Sequence, residues 1–181
     1  MSIDRKGTQL VDWQTIISRH SGIVWQTSWR LLRNEAEAAD CYQDTFLAAI
    51  QVANREPVLN WPALLRSLAT NHALTRLRRR HEVHPASDAV LAAMPAPQSN
   101  PADQAQAAEL LERLSRSLAA LTPQQAEVFC LRFFSDMTNE EIARELGITK
   151  SAVGVLLHRA RSQIASMLAP VHESKGGHCH V

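Results

Sequence analysis

The stretch from Thr138 to Arg161, TNEEIARELGITKSAVGVLLHRAR, constrains this chain more than any other. Two helical patterns stand either side of a very short break at Gly147. Thr138 is placed to cap the first helix, with Glu141 three residues on as its capping-box partner. Ile142, Ala143 and Leu146 give that helix a buried face, Gly147 supplies the sharp turn, and Ile148 points inward from it. Thr149 can cap the second helix, whose apolar stripe is Val153, Leu156, Leu157, Ala160 and Ile164. This layout predicts a helix-turn-helix, whose second helix lies in the DNA major groove. Charge agrees: no Asp or Glu occurs from Leu146 through His172, while Lys150, His158, Arg159 and Arg161 do. An acid-free basic helix approaches phosphates without like-charge repulsion. The competing reading is a two-helix packing unit with a solvated basic face.

The remainder reads as helical too. Only 5% of residues are aromatic, there are six glycines, and no alternating apolar-polar runs mark strands, so the fold class is all-α. A hydrophobic content of 45% is enough for real cores. The net charge of +1 does not by itself announce a nucleic-acid binder; the distribution of charge carries that argument. The N-terminus lacks an apolar signal segment, and no apolar run approaches the roughly 20 residues that span a bilayer. No membrane insertion is therefore expected, and Cys41, Cys130 and Cys179, far apart and odd in number, suit a reducing cytoplasm.

Two small helical domains joined by a flexible linker are expected. The first, 10–82, holds three helices: one from Asp12 to Arg33, a second opened by an Asn34–Glu37 capping box and running to about Val52, and a third starting at Trp61-Pro62. Residues 83–107 contain Pro85, Pro95, Pro97 and Pro101 and read as a linker, with a short helix expected around Asp88 to Met94. The second domain, 108–169, is a four-helix unit that includes a strong helix start at Thr122-Pro123-Gln124-Gln125 and ends in the helix-turn-helix. A tail, 170–181, closes on His178-Cys179-His180; with His172 these are weak candidates for a metal site, and no cofactor is otherwise implied.

Two oppositely charged surfaces lie in the first domain. From Pro57 to His81 there is no acid, yet the third helix carries Arg66, Arg76, Arg78, Arg79 and Arg80, with Asn71 and His72. Arg66, His72, Arg76 and Arg79 are expected to share a face that tracks a nucleic-acid backbone. The helix macrodipole alone favours one or two basic residues at a C-terminus, not five arginines. The second helix is instead acidic, with Glu35, Glu37, Asp40 and Asp44; Asp40, Gln43 and Asp44 share a face with Leu47 one turn on, which suits a basic protein partner.

Taken together these residues resemble bacterial sigma factors of the extracytoplasmic-function group, from about Trp13 to Leu168. Asp40-Cys-Tyr-Gln43-Asp44-Thr-Phe46 is similar to that family's D-x-x-Q-E/D-x-F motif, which binds the clamp helices of the RNA polymerase β′ subunit. The segment from Leu65 to Arg80 resembles the family's −10 promoter segment, with Thr75 where Asp is usual and Leu64 where Trp is usual, Trp61 lying one turn earlier. Leu121-Thr122-Pro123 through Arg161 resembles its second domain, with Gly154 and Val155 at positions that often contact DNA through other residues.

The resemblance implies a non-enzymatic factor that docks on core polymerase through Asp40, Gln43, Asp44, Phe46 and Leu47. The −10 contacts would be Trp61, Arg66, Asn71, His72, Arg76, Arg78, Arg79 and Arg80, and the −35 contacts Thr149, Lys150, Ser151, Val155, His158, Arg159 and Arg161. It implies as partners the β′ clamp helices, the β flap, promoter duplex and the non-template single strand captured near the Ala53–Trp61 loop, with an anti-sigma factor as a further candidate. The residues alone leave open a stand-alone helix-turn-helix regulator with a dimerisation or ligand domain, and a protein-binding module that never reads DNA.

Overall fold

A computed structural model describes residues 11–83 and 100–169 of the chain. Within them run seven helices and no strand: α1 (Trp13–Leu32), α2 (Glu35–Ala53), α3 (Trp61–Val83), α4 (Pro101–Ala120), α5 (Pro123–Phe133), α6 (Asn139–Glu145) and α7 (Lys150–Leu168). Most of the helix starts follow from local chemistry. Asp12, Asn34, Thr122, Thr138 and Thr149 each accept a hydrogen bond from the backbone N–H three residues on, satisfying one of the donors a helix start leaves orphaned. Both halves of the capping box form at Thr122–Gln125 and at Thr138–Glu141. At Asn34 only the forward half forms, because the Glu37 carboxylate is taken by Arg80 of α3 instead.

The expected linker is shorter than its composition suggests. Helix α4 begins at Pro101, not near Ala108, since proline at a first helical position costs nothing and the following Ala-Gln run is a good helix former. The short helix expected around Asp88 to Met94, and the tail with His172, His178, Cys179 and His180, lie outside the described residues.

Helix α3 is the spine. It packs on α1 and α2 on one side and on α4, α5 and α6 on the other. Its sequence carries two buried stripes: Ala63, Ser67, Thr70, Leu74 and Leu77 along one side, and Leu65, Ala69 and Ala73 along another. Leu65 and Ala69 of the second stripe join Val24, Phe46 and Ala49 in a core made by α1, α2 and α3; Ala73 falls in the cluster of Leu74 and Leu77. The first stripe reaches the other module: Leu74 and Leu77 share a cluster with Leu31, Leu32, Leu118, Leu121, Cys130 and Ile164, while Ala63 packs among Val128, Leu131, Ile142, Val153 and Leu157. Each fully buried leucine here stabilises by about 1.5–3 kcal/mol, so the modules are joined by a shared core as well as by the chain between them. Arg30 adds a polar tie, its Nη1 donating to the Phe134 carbonyl at 2.5 Å.

Candidate nucleic-acid interface

Helix α2 presents the expected acidic ridge. Asp40 and Gln43 are exposed, Asp44 is half-exposed, and Leu47 is 59% exposed with Ile50 beyond it. Phe46 departs from expectation. It is only 7% exposed, packs with Val24, Leu65 and Ala69, and sets its ring edge-on to Tyr42 at 5.0 Å. Spacing explains this: Phe46 lies off the ridge defined by positions 40, 43, 44 and 47, on the face of α2 turned to α1 and α3. It supports the ridge from within.

The basic residues of α3 do not form one continuous face. Arg76 turns to α2, where its Nη2 meets Asp44 Oδ2 at 2.6 Å and its Nη1 lies 3.5 Å from Asp40. Arg80 pairs with Glu37 and also donates to the Leu32 carbonyl at 3.2 Å, tying α3 to the end of α1. On the other side, Asn71 Nδ2 and Ser67 Oγ donate to Glu127 of α5 at 2.6 and 2.9 Å. Arg78 is half-buried, and its Nη2 is buried without a hydrogen-bond partner. Arg66 stands within electrostatic reach of Glu141 on α6. Arg79 is exposed and His72 half-buried, with no ion pair among the described residues. Acidic ridge and basic helix are therefore one surface joined through Arg76. Trp61, at the start of α3, is half-buried and edge-on to Trp13 at 5.3 Å.

The helix-turn-helix forms as its sequence predicts. Gly147 takes φ +64°, the left-handed geometry that ends α6, and Thr149 accepts from Ala152 N at 3.1 Å to open α7. Val153, Leu157, Ala160 and Ile164 are buried, which turns Ser151, Val155, His158 and Arg159 to solvent. Two expected contacts are already engaged. Lys150 pairs with Glu140 across the turn, and this hydrogen bond holds the Glu140 carboxyl below its usual range. The Arg161 guanidinium lies 4.8 Å from the centre of the Phe133 ring. Arg132, Lys150, Gly154, His158 and Arg161 line an open cleft of about 550 Å³. A glycine there leaves the α7 backbone uncovered, with open space where a side chain would stand.

Three contacts escaped sequence reasoning: the Glu127 bonds to α3, the Arg30 tie, and an aromatic cluster in which Trp25 stacks on Trp29 and meets Tyr42 edge-on. Each joins positions remote in sequence or on a face no period singles out.

Among the described residues no helix is long and apolar enough to cross a membrane. Residues 16–82 match the family model for sigma-70 region 2, and residues 105–164 that for sigma-70 region 4. The chain is 28% identical over 170 residues to the ECF RNA polymerase sigma factor SigE of Mycolicibacterium smegmatis, covering 92% of this chain and 66% of that protein. It is 29% identical over 151 residues to the ferric citrate uptake sigma factor FecI of Escherichia coli, covering 81% and 84%. Among solved structures the fold is similar to CnrH bound to the cytosolic domain of CnrY, with TM-score 0.53 and 22% identity over 86% of each chain. It is equally similar to RpoE of Bartonella quintana bound to the anti-sigma factor NepR, with TM-score 0.53 and 22% identity over 87% of this chain and 96% of that one.

Proposed function

The chain belongs to the sigma-70 family, as a factor of the extracytoplasmic-function kind, and we propose how its surfaces divide the work of starting transcription. Region 2, which extends over α1, α2 and α3, docks on core RNA polymerase through Asp40, Gln43, Asp44 and Leu47. The face of α3 with Asn71, His72, Arg78 and Arg79, and the loop before Trp61, take the −10 element and hold the unstacked non-template strand. Extruding a base costs a few kcal/mol, which capture must offset. Region 4 places α7 in the major groove of the −35 element, with Ser151, Val155, His158 and Arg159 toward the DNA. Val155 is suited to a thymine methyl, and Arg159 to a base edge or phosphate. The polymerase performs the covalent chemistry, in the cytoplasm; this chain contributes address and strand separation. A partner of the anti-sigma class, as bound by RpoE, is part of the same proposal.

The observation that carries this reading is that one polypeptide exposes an acid-apolar ridge on α2 and an acid-free helix-turn-helix face on α7. The two are separable by mutation. Asp44→Arg reverses a ridge charge and is expected to weaken core-polymerase binding roughly ten-fold or more. Arg159→Ala is expected to leave core binding unchanged, weaken holoenzyme binding to promoter DNA, and lower its salt slope by about one if the contact is to phosphate. Equal core affinity for Asp44→Arg removes the ridge from the polymerase surface, and unchanged promoter binding by Arg159→Ala removes α7 from the groove.

A further inference from the structure

Two of the arginines on α3 are turned to α2 and not to solvent. Ala73, Arg76 and Arg80 follow one another at helical spacing along α3, and Ala73 is fully buried in a cluster with Cys41 of α2. That side of α3 is therefore pressed against α2, and the two arginines reach its acids in turn. Arg80 pairs with Glu37 and donates to the Leu32 carbonyl at 3.2 Å, a tie within the fold. Arg76 forks between two acids, its Nη2 at 2.6 Å from Asp44 Oδ2 and its Nη1 at 3.5 Å from Asp40 Oδ2. Asp40 and Asp44 stand four residues apart on one face of α2, a spacing at which like charges repel. Among the described residues Arg76 is the one cation within ion-pair distance of either. It engages Oδ2 of each, and a carboxylate accepts through both oxygens, so Oδ1 of each is left for a partner.

We infer that Arg76 is a positioning residue of the polymerase-docking surface, holding Asp40 and Asp44 side by side for a cationic side chain of the polymerase, and that it is not a contact of the −10 element. The inference rests on the reading of the α2 ridge as that surface. Arg76 acts on docking in two opposed ways: its charge repels an incoming cation, and its fork fixes the two acids that the cation meets. Exposure decides between them. The Arg76 side chain is 26% exposed, against 65% for Asp40 and 44% for Asp44, so a partner reaches the carboxylates first. The three groups together still carry one net negative charge, which attracts a cation. Removing Arg76 adds to that charge only at an exposed site, where salt screens it. Two freed carboxylates, by contrast, must each be ordered again on docking, at a loss of roughly three- to ten-fold in affinity.

The test titrates the full chain against core RNA polymerase at about 0.3 M salt, where charges more than about 6 Å apart are largely screened. Arg76→Ala is expected to weaken core binding roughly three- to ten-fold. Arg76→Gln keeps most of the stem and loses the charge; it is expected to do the same, and it carries the test if circular dichroism shows the alanine variant unfolded. In an Asp40→Asn/Asp44→Asn background the Arg76 substitution is expected to change core binding by less than about two-fold, since the charges it holds are gone. With polymerase in excess, so that every chain is bound, the salt slope of promoter binding is expected to match the parent's in the Arg76 variant. Arg79→Ala, expected to lower that slope by about one, is the comparison. Core binding equal to or tighter than the parent's, or an equal loss in the Asn background, overturns the inference and leaves the ridge reading standing. A slope lowered by about one in the Arg76 variant also overturns it and returns Arg76 to the DNA. If Asp40→Asn/Asp44→Asn binds core as the parent does, the ridge reading itself fails, and the inference with it.

Discussion

Phe46 sits inside the motif that resembles the polymerase-binding segment, yet its ring is inside the fold, so mutating it should damage folding and not docking. The side chain is 7% exposed and closed in by Val24, Ala49, Leu65, Ala69 and the Tyr42 ring. Phe46→Ala leaves a cavity there and loses the transfer free energy of the ring, about 3–5 kcal/mol. Because α3 shares its core with both modules, the chain should unfold largely as one unit. For a protein of this size each kcal/mol moves Tm by about 2–4 °C, so the expected drop is roughly 6–20 °C. Leu47 is the control, one residue on and 59% exposed. Leu47→Ala should leave Tm within about 2 °C and weaken core-polymerase binding roughly ten-fold or more, the cost of an unburied leucine at an interface. Thermal unfolding followed by circular dichroism and a core-binding titration well below both transitions measure the two effects. A Phe46→Ala variant that melts like the parent but no longer binds polymerase would refute the assignment and return the ring to the contact surface.

Two further outcomes are expected. Gly147→Ala places a Cβ in open space but on a backbone at φ +64°, so it should cost about 1 kcal/mol from conformation alone; a Tm equal to or above the parent's would show that the turn relaxes. Glu145→Gln tests an acid whose carboxyl is pushed above its usual range, first by burial and then by Glu127. Its charge is penalised in the folded state but not in the unfolded one, so at neutral pH the substitution should raise Tm modestly. As pH falls through the folded and then the unfolded pKa, both states take up the proton and the advantage should vanish. A gain that persists in acid would mean that charge is not its source.

Much of the fold was legible because helix starts are local. The cap at Asn34, the Thr122-Pro123 start, the Thr138–Glu141 box and the Thr149 cap each depend on residues three apart, and each appears in the structure. The start of α4 is not legible in this way, because Pro101 follows Pro85, Pro95 and Pro97 in a stretch whose prolines signal breaks, yet it opens a helix. The face holding Asp40, Gln43, Asp44 and Leu47 was legible for the same reason of spacing, whereas Phe46 was carried along by the motif and not by its angle around α2.

By itself, then, the order of residues determined the helices, their caps, the tight turn at Gly147 and the placing of acid and base on particular segments, since all of these are set within one or two helical turns. What it could not decide is which charge meets which. Arg76 with Asp44, Arg80 with Glu37, and Asn71 with Glu127 join positions 32, 43 and 56 residues apart. An arginine does not encode whether it faces DNA, a neighbouring helix or an empty interface. That choice is made when apolar burial along both sides of α3 brings α2 and α5 against it, and the polar side chains must then satisfy one another at the distances that packing imposes.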